Sequence, residues 1–143
     1  MPYSPLLVKP MREELTAIGV AELRSAEEVD QFMSQKTGSS LLVVNSVCGC
    51  AAGMARPGVR LALEAGPAPA RVGSVFAGQD VEATARARAY FPEIPPSSPC
   101  MAIFHDGELV FFLPRHRIEG RSAQEVAQDL VAALQENASP ATA

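Results

Sequence analysis

Three features of the 143-residue chain predict a three-layer α/β/α fold around a mixed, mainly parallel central sheet. Short apolar, β-rich runs alternate with segments of helical period, and alternating βα units need a parallel sheet with helices on both faces. The runs at residues 41–44 and 71–77 read as strands covered on both sides. Two further runs, 101–105 and 108–113, flank Asp106-Gly107, a dipeptide that favours a type I′ turn and so adds an antiparallel hairpin at one edge. With 48% hydrophobic and 20% charged residues, the chain can bury a core without staples and is expected to form one domain over residues 1–143.

Each element has a local reason. Met11, Leu15 and Ile18 share a helical face over residues 11–18, entered through Pro10 and stopped by Gly19. Residues 20–23 form a short strand. Ser25 and Glu28 make a capping box ahead of a helix that carries Val29, Phe32 and Met33 on one side. After the strand at 41–44, a helix fits residues 51–65 and ends at Gly66-Pro67; Pro57 inside it cannot donate to Gly53, so a kink is expected. Gly78-Gln79-Asp80 opens a helix over 81–90, and a proline-rich loop over 91–99 leads to the hairpin. Ser122 and Glu125 form a second capping box, before a last helix with Val126, Leu130 and Leu134 facing inward. Residues 137–143 are expected to be a frayed tail. The order α-β-α-β-α-β-α-β-β-α resembles the thioredoxin-like arrangement.

Charge and composition remove several function classes. The net charge of −4 and the lack of a Lys/Arg block leave no electrostatic footprint for nucleic acid. The apolar run at residues 6–8 is too short for a secretory core, and no stretch approaches a membrane span, so the expected location is the cytoplasm. Thiols are kept reduced there. With only three cysteines, a close pair is then catalytic or metal-binding, not a staple.

That pair is Cys48-Gly49-Cys50, at the carboxyl end of the strand at 41–44, where active groups of open α/β sheets gather. A helix starting near Gly49 or Cys50 points free N–H groups at the Cys48 sulfur and favours its thiolate. Ser46, Val47, Ala51 and Ala52 are uncharged and Arg56 is about two turns away, so activation rests on helix placement. Gly49 supplies the backbone freedom to bring both sulfurs together. One intervening residue gives a small, strained, easily reduced ring, suited to a thiol exchanger in which Cys48 attacks and Cys50 resolves. A competing reading is a metal or iron–sulfur carrier using Cys48, Cys50 and Cys100 with His105 or His116, although zinc sites space the first pair by two to four residues.

The segments VCGCAAGMARPG, FAGQDVEATARARAYF, PPSSP and LVFFLPRHRIEG, in that order, resemble the bacilliredoxin family, and the likeness extends from PMREELTAIG to the last helix. The resemblance implies a thioredoxin fold and the removal of bacillithiol, a glucosamine–malate–cysteine thiol, or a similar small thiol, from protein mixed disulfides. No bound cofactor or metal is implied. The implied partners are bacillithiolated proteins, the small thiol itself and a recycling reductase; a general disulfide isomerase is the alternative. It also implies Cys48 as the attacking cysteine, Cys50 as its partner, and Pro99 as a cis-proline that lines the substrate groove with Ser98. Cys100 departs from the small polar residue expected there; near Cys48 it could form a competing disulfide, whereas the favoured reading, a buried first strand residue, leaves the mechanism intact.

Arg115, His116 and Arg117 form a basic cluster, and Arg115 and Arg56 are candidates for the carboxylates of a malate-bearing thiol. A solvated loop is the plainer reading of that cluster. His105 is expected at the surface. Glu64, Glu82 and Glu93 make no carboxylate pair, and no phosphate loop or Ser/His/Asp set is present.

Overall fold

A computed structural model describes residues 2–137, so all of the expected tail except Asn137 lies outside the described residues. Five strands form one sheet in the order β1-β3-β2-β4-β5, with β1 (Ala21–Glu22), β2 (Ser39–Asn45), β3 (Arg71–Phe76), β4 (Cys100–His105) and β5 (Glu108–Leu113). β3 runs parallel to both β1 and β2, whereas β4 lies antiparallel to β2 and to β5. Parallel and antiparallel pairs are thus equal in number, because the hairpin enters through β4 beside the central strand β2. Asp106 and Gly107 both take positive φ, 50° and 87°, as the type I′ turn requires.

The pleat sends alternate residues of β2 and β4 to opposite faces. Leu41, Val43, Met101 and Ile103 pack under α3 (Arg56–Ala65) and α5 (Ala123–Glu136). Leu42, Val44, Cys100, Ala102 and Phe104 face α2 (Ala26–Ser34) and α4 (Val81–Arg88). Gly58 lets α3 and α5 approach closely; a Cβ there would stand 2.7 Å from Val126 Cγ1.

Several boundaries move for identifiable reasons. The first helix, α1 (Pro5–Thr16), starts six residues before the expected one, because Ser4 Oγ accepts from Leu6 N and Pro5 occupies the first turn. Pro10 is tolerated inside it because the carbonyl it leaves unpaired belongs to Leu6, which is 82% exposed. Ser25 caps α2 as expected, yet the Glu28 carboxylate accepts from Arg24 N, not from the cap residue itself. The box at Ser122 and Glu125 closes in both directions.

The expected kink at Pro57 takes a defined form. Helical backbone begins at Gly49, widens to a π-turn over Ala51–Ala55, and continues as α3. The Arg56 N–H reaches back five residues to the Ala51 carbonyl, and Pro57 falls in the first turn of α3, where its missing donor costs little. Among the described residues two peptide bonds are cis, Gly66–Pro67 and Ser98–Pro99; the second is the one the resemblance implied.

Candidate functional site

β2 ends at Asn45, and the three residues before the helix are held by a buried polar network. Asn45 Oδ1 accepts from Ser46 N at 2.9 Å and from Arg56 NH1 at 3.0 Å, while Asn45 Nδ2 donates to the Met11 carbonyl at 3.2 Å. Arg56 NH1 also donates to the Ser46 carbonyl at 2.8 Å. Its Nε lies 3.1 Å from Glu14 Oε1, close enough for an ion pair but without hydrogen-bond alignment. Thus anchored, Ser46 Oγ accepts from Cys48 N at 3.3 Å and donates to Cys48 Sγ at 3.2 Å.

The two sulfurs are made unequal by these surroundings. Partial burial works against a Cys48 anion, but the Ser46 hydroxyl, the Ala51 amide and the Cys50 thiol and amide outweigh it, so Cys48 titrates below an ordinary cysteine. Cys50 is pushed the other way, first by burial, then by its hydrogen bond to Cys48 and the charge on that sulfur, with Glu119 adding to the rise and Arg115 opposing it. The geometry favours a Cys48 thiolate beside a Cys50 thiol. Because only the thiolate is alkylated, Cys48 labelling by iodoacetamide should rise with pH through a midpoint below that of free cysteine, ahead of Cys50. Ser46→Ala should move the Cys48 midpoint upward; pH-resolved mass spectrometry checks both.

Cys48 opens onto a cleft of about 310 Å³. Ser46, Ser98, Tyr3, Arg88 and Arg115 are among its walls, and among the described residues no acidic side chain lines it. The arginines also brace the segment before the cis bond: Arg88 NH2 donates to the Ser97 carbonyl at 3.2 Å, and Arg115 NH1 to the Ser98 carbonyl at 3.4 Å. Arg115 is the first residue of a short 3₁₀ turn, Arg115–Arg117, that places it across from the cysteines.

Of the residues singled out by sequence, Cys48, Cys50, Ser98 and Arg115 come together here. Pro99 is buried behind Ser98 and is not part of the cleft wall. Gly49 opens the helix that follows Cys48. Its φ is not in the left-handed region, and a Cβ would meet nothing within 4 Å, because it is the first residue of the helix and needs no special backbone in this reduced form. Arg56 corrects one expectation: it is 3% exposed with its guanidinium committed to Asn45, Ser46 and Glu14, so it holds the loop instead of lining the Cys48 cleft.

Cys100 faces α2 and α4, on the far side of the sheet from the helix that carries Cys48 and Cys50. The expected buried strand residue is therefore what the fold contains. The carrier set of Cys48, Cys50 and Cys100 with a histidine is not assembled, and His105 pairs instead with Asp106 on the hairpin. Among the described residues, no group of three or more His, Cys, Asp or Glu side chains is gathered for a metal ion. Burial pushes the Cys100 thiol up to about 12, only partly offset by Arg88. In native protein we expect two thiols to label and Cys100 to label only after unfolding, as counted by intact mass.

Three contributors escaped the sequence reading: Ser46, Arg88 and Glu119. Ser46 could have been found as a hydroxyl two residues before the cysteine. Arg88 and Glu119 reach the site only through tertiary packing.

Comparison with known proteins adds a separate line of observation. A family described as disulphide isomerase matches residues 3–138. A bacilliredoxin of Cytophaga hutchinsonii is 55% identical over 128 residues, covering 90% of this chain and 94% of that protein. One from Salinibacter ruber is 52% identical over 137 residues, covering 94% of this chain and 80% of its own, and one from Geobacillus kaustophilus is 50% identical over 133, covering 92% of each. Among solved structures, a mutant thioredoxin from Halobacterium salinarum superposes with a TM-score of 0.59 at 20% identity, over 85% of this chain and 93% of that one. Fasciola hepatica thioredoxin gives 0.58 at 16%, over 82% and 99%. At that identity the structural likeness bears on the fold alone, which is the thioredoxin fold.

Proposed function

The chain belongs to the bacilliredoxin family, and from that premise we propose that it is a thiol–disulfide oxidoreductase that removes bacillithiol, or a similar carboxylate-bearing small thiol, from protein mixed disulfides. The observation that carries the reading is the inequality of the two sulfurs, with the more acidic one facing a cleft walled by two arginines. Residues 1–143 act as one catalytic domain.

The cycle uses sulfur chemistry alone and needs no bound cofactor. The Cys48 thiolate attacks the small-thiol sulfur of the mixed disulfide, the target protein leaves as its thiol, and Cys48 carries the small thiol. A second small thiol, or Cys50, then frees Cys48. If Cys50 does so, the resulting Cys48–Cys50 disulfide is returned to dithiol by a partner reductase. The cleft favours anionic leaving groups through Arg115 and Arg88, while Ser98 and the cis bond before Pro99 offer an edge to the target polypeptide. Such chemistry belongs to a reducing compartment, and we place the protein in the cytoplasm; among the described residues no helix is long and apolar enough to cross a membrane.

The test compares a bacillithiol-capped peptide with the same peptide capped by uncharged 2-mercaptoethanol. Wild-type protein should prefer the bacillithiol adduct. Arg115→Ala and Arg88→Ala should each erode that preference, read as the ratio of the two rates within each protein, by about fivefold at most, since exposed ion pairs are worth about 1 kcal/mol or less. Equal rates on both substrates in all three proteins would remove the specificity claim. A general protein disulfide isomerase is the second reading, favoured by the description of the matching family. It predicts reshuffling of scrambled substrates with no small-thiol adduct on Cys48.

A further inference from the structure

The Cys50 thiol must lose a proton if it is to resolve a mixed disulfide, and it is buried. One carboxylate stands within reach: Cys50 Sγ lies 3.9 Å from Glu119 Oε2. The same oxygen accepts from Arg115 NH2 at 3.4 Å. The fold holds it there. Ile118 is fully buried in the same cluster as Cys50, and the Glu119 N–H closes the turn on the Arg115 carbonyl at 2.8 Å. Glu119 itself is 58% exposed, so a proton it takes up has a direct route to water.

We propose that Glu119 is the proton acceptor for Cys50 in the resolving step, a role that rests on the reading of Cys48 and Cys50 as an exchange pair. In that step Cys50 Sγ bonds to the Cys48 sulfur of the mixed disulfide, and the bond from Cys48 to the small thiol breaks with its electron pair on the departing sulfur. The Cys50 proton passes to Glu119 and then to the departing thiolate or to water. Cys50 is oxidised and the small thiol is reduced, so atoms and electrons balance with no further reagent. Arg115 touches both the cleft and this carboxylate, which ties the base to the end of the site where the small thiol departs.

Among the described residues, the titratable and charged groups facing Cys50 are Cys48 on its own turn and Arg115 and Glu119 opposite. Removing the carboxylate therefore has two opposed effects. It takes away the proton acceptor, and it relieves a negative charge that disfavours the Cys50 thiolate. The pH profile separates them: without an acceptor the rate must follow the thiol's own ionisation, and above that ionisation an acceptor is unnecessary.

The experiment mixes wild type, Glu119→Gln and Cys50→Ser with a bacillithiol-capped peptide, quenches with acid, and follows the Cys48 adduct and the intramolecular disulfide by mass. Glutamine keeps an oxygen for Arg115, so adduct formation should stay within about twofold of wild type. Resolution in Glu119→Gln should slow about a hundredfold near neutral pH and approach the wild-type rate as the pH is raised through the ionisation of the Cys50 thiol. A Glu119→Gln rate equal to wild type at neutral pH would overturn the proposal while leaving the exchange reading intact. Slowing by one constant factor at every pH would also overturn it, since Glu119 would then act only by holding Arg115. If Cys50→Ser traps no adduct on Cys48, the exchange reading fails and the proposal falls with it.

Discussion

Cys48→Ser should abolish release of the small thiol from a capped protein, by at least about a thousandfold, the scale on which removing a nucleophile acts. A serine hydroxyl does not ionise near neutral pH, so the support that Ser46, the Ala51 amide and the Cys50 thiol and amide give a thiolate has nothing to act on. Cys50→Ser should behave differently. The attack on the mixed disulfide persists, and turnover then depends on added small thiol as the second nucleophile. A steady-state titration with that thiol checks the contrast. Equal losses in both variants would mean that neither sulfur is privileged, against the inequality on which the mechanism rests.

The largest expected effect on stability comes from a residue outside the sulfur pair. Arg56→Leu removes a buried cation and leaves Asn45 Oδ1 and the Ser46 carbonyl without the donor they share. Glu14 is half-exposed and returns to water, so the cost falls on the buried acceptors left unpaired, about 1–3 kcal/mol, or about 3–10 °C in melting temperature for a chain of this size. The damage should not stay local to stability. Ser46 loses part of its anchor, and with it the hydroxyl that steadies Cys48, so the Cys48 titration midpoint should rise. Arg56→Lys should fall between, because an ammonium cannot reproduce the planar fork. Thermal melting alongside pH-resolved alkylation measures both effects, and an Arg56→Leu protein with wild-type melting would show that the network carries no load.

Arg56 also shows where sequence reading loses purchase. Charge alone made it a candidate for the substrate's carboxylates. Its helical spacing held the opposite message, since Arg56 lies on the same face as Val59 and Ala62, both fully buried. The reading succeeded where local chemistry decides structure. Asp106-Gly107 has few alternatives to a type I′ turn, and an apolar run followed by Cys-Gly-Cys places sulfur at a strand–helix corner whatever the rest of the chain does. Capping residues set the starts of α2 and α5 in the same local way.

What could not be read was tertiary. Glu119 reaches Cys50 because Ile118 is drawn into the core beneath α5, and nothing near either residue in sequence announces that meeting. Arg88 looks like an ordinary cation at a helix end until the proline-rich loop folds back beside it. Gly49 is expected to free the backbone that joins the two sulfurs; in the reduced form it opens the helix, with Cys48 in the bend before it.

The most direct test of the central claim is the intact mass of Cys50→Ser after equimolar mixing with a bacillithiol-capped protein, followed by peptide mapping. The account predicts one bacillithiol on each molecule, located at Cys48, with one target thiol released for each adduct formed. An adduct on Cys100, or a covalent link between the two proteins with the small thiol released instead, would contradict it.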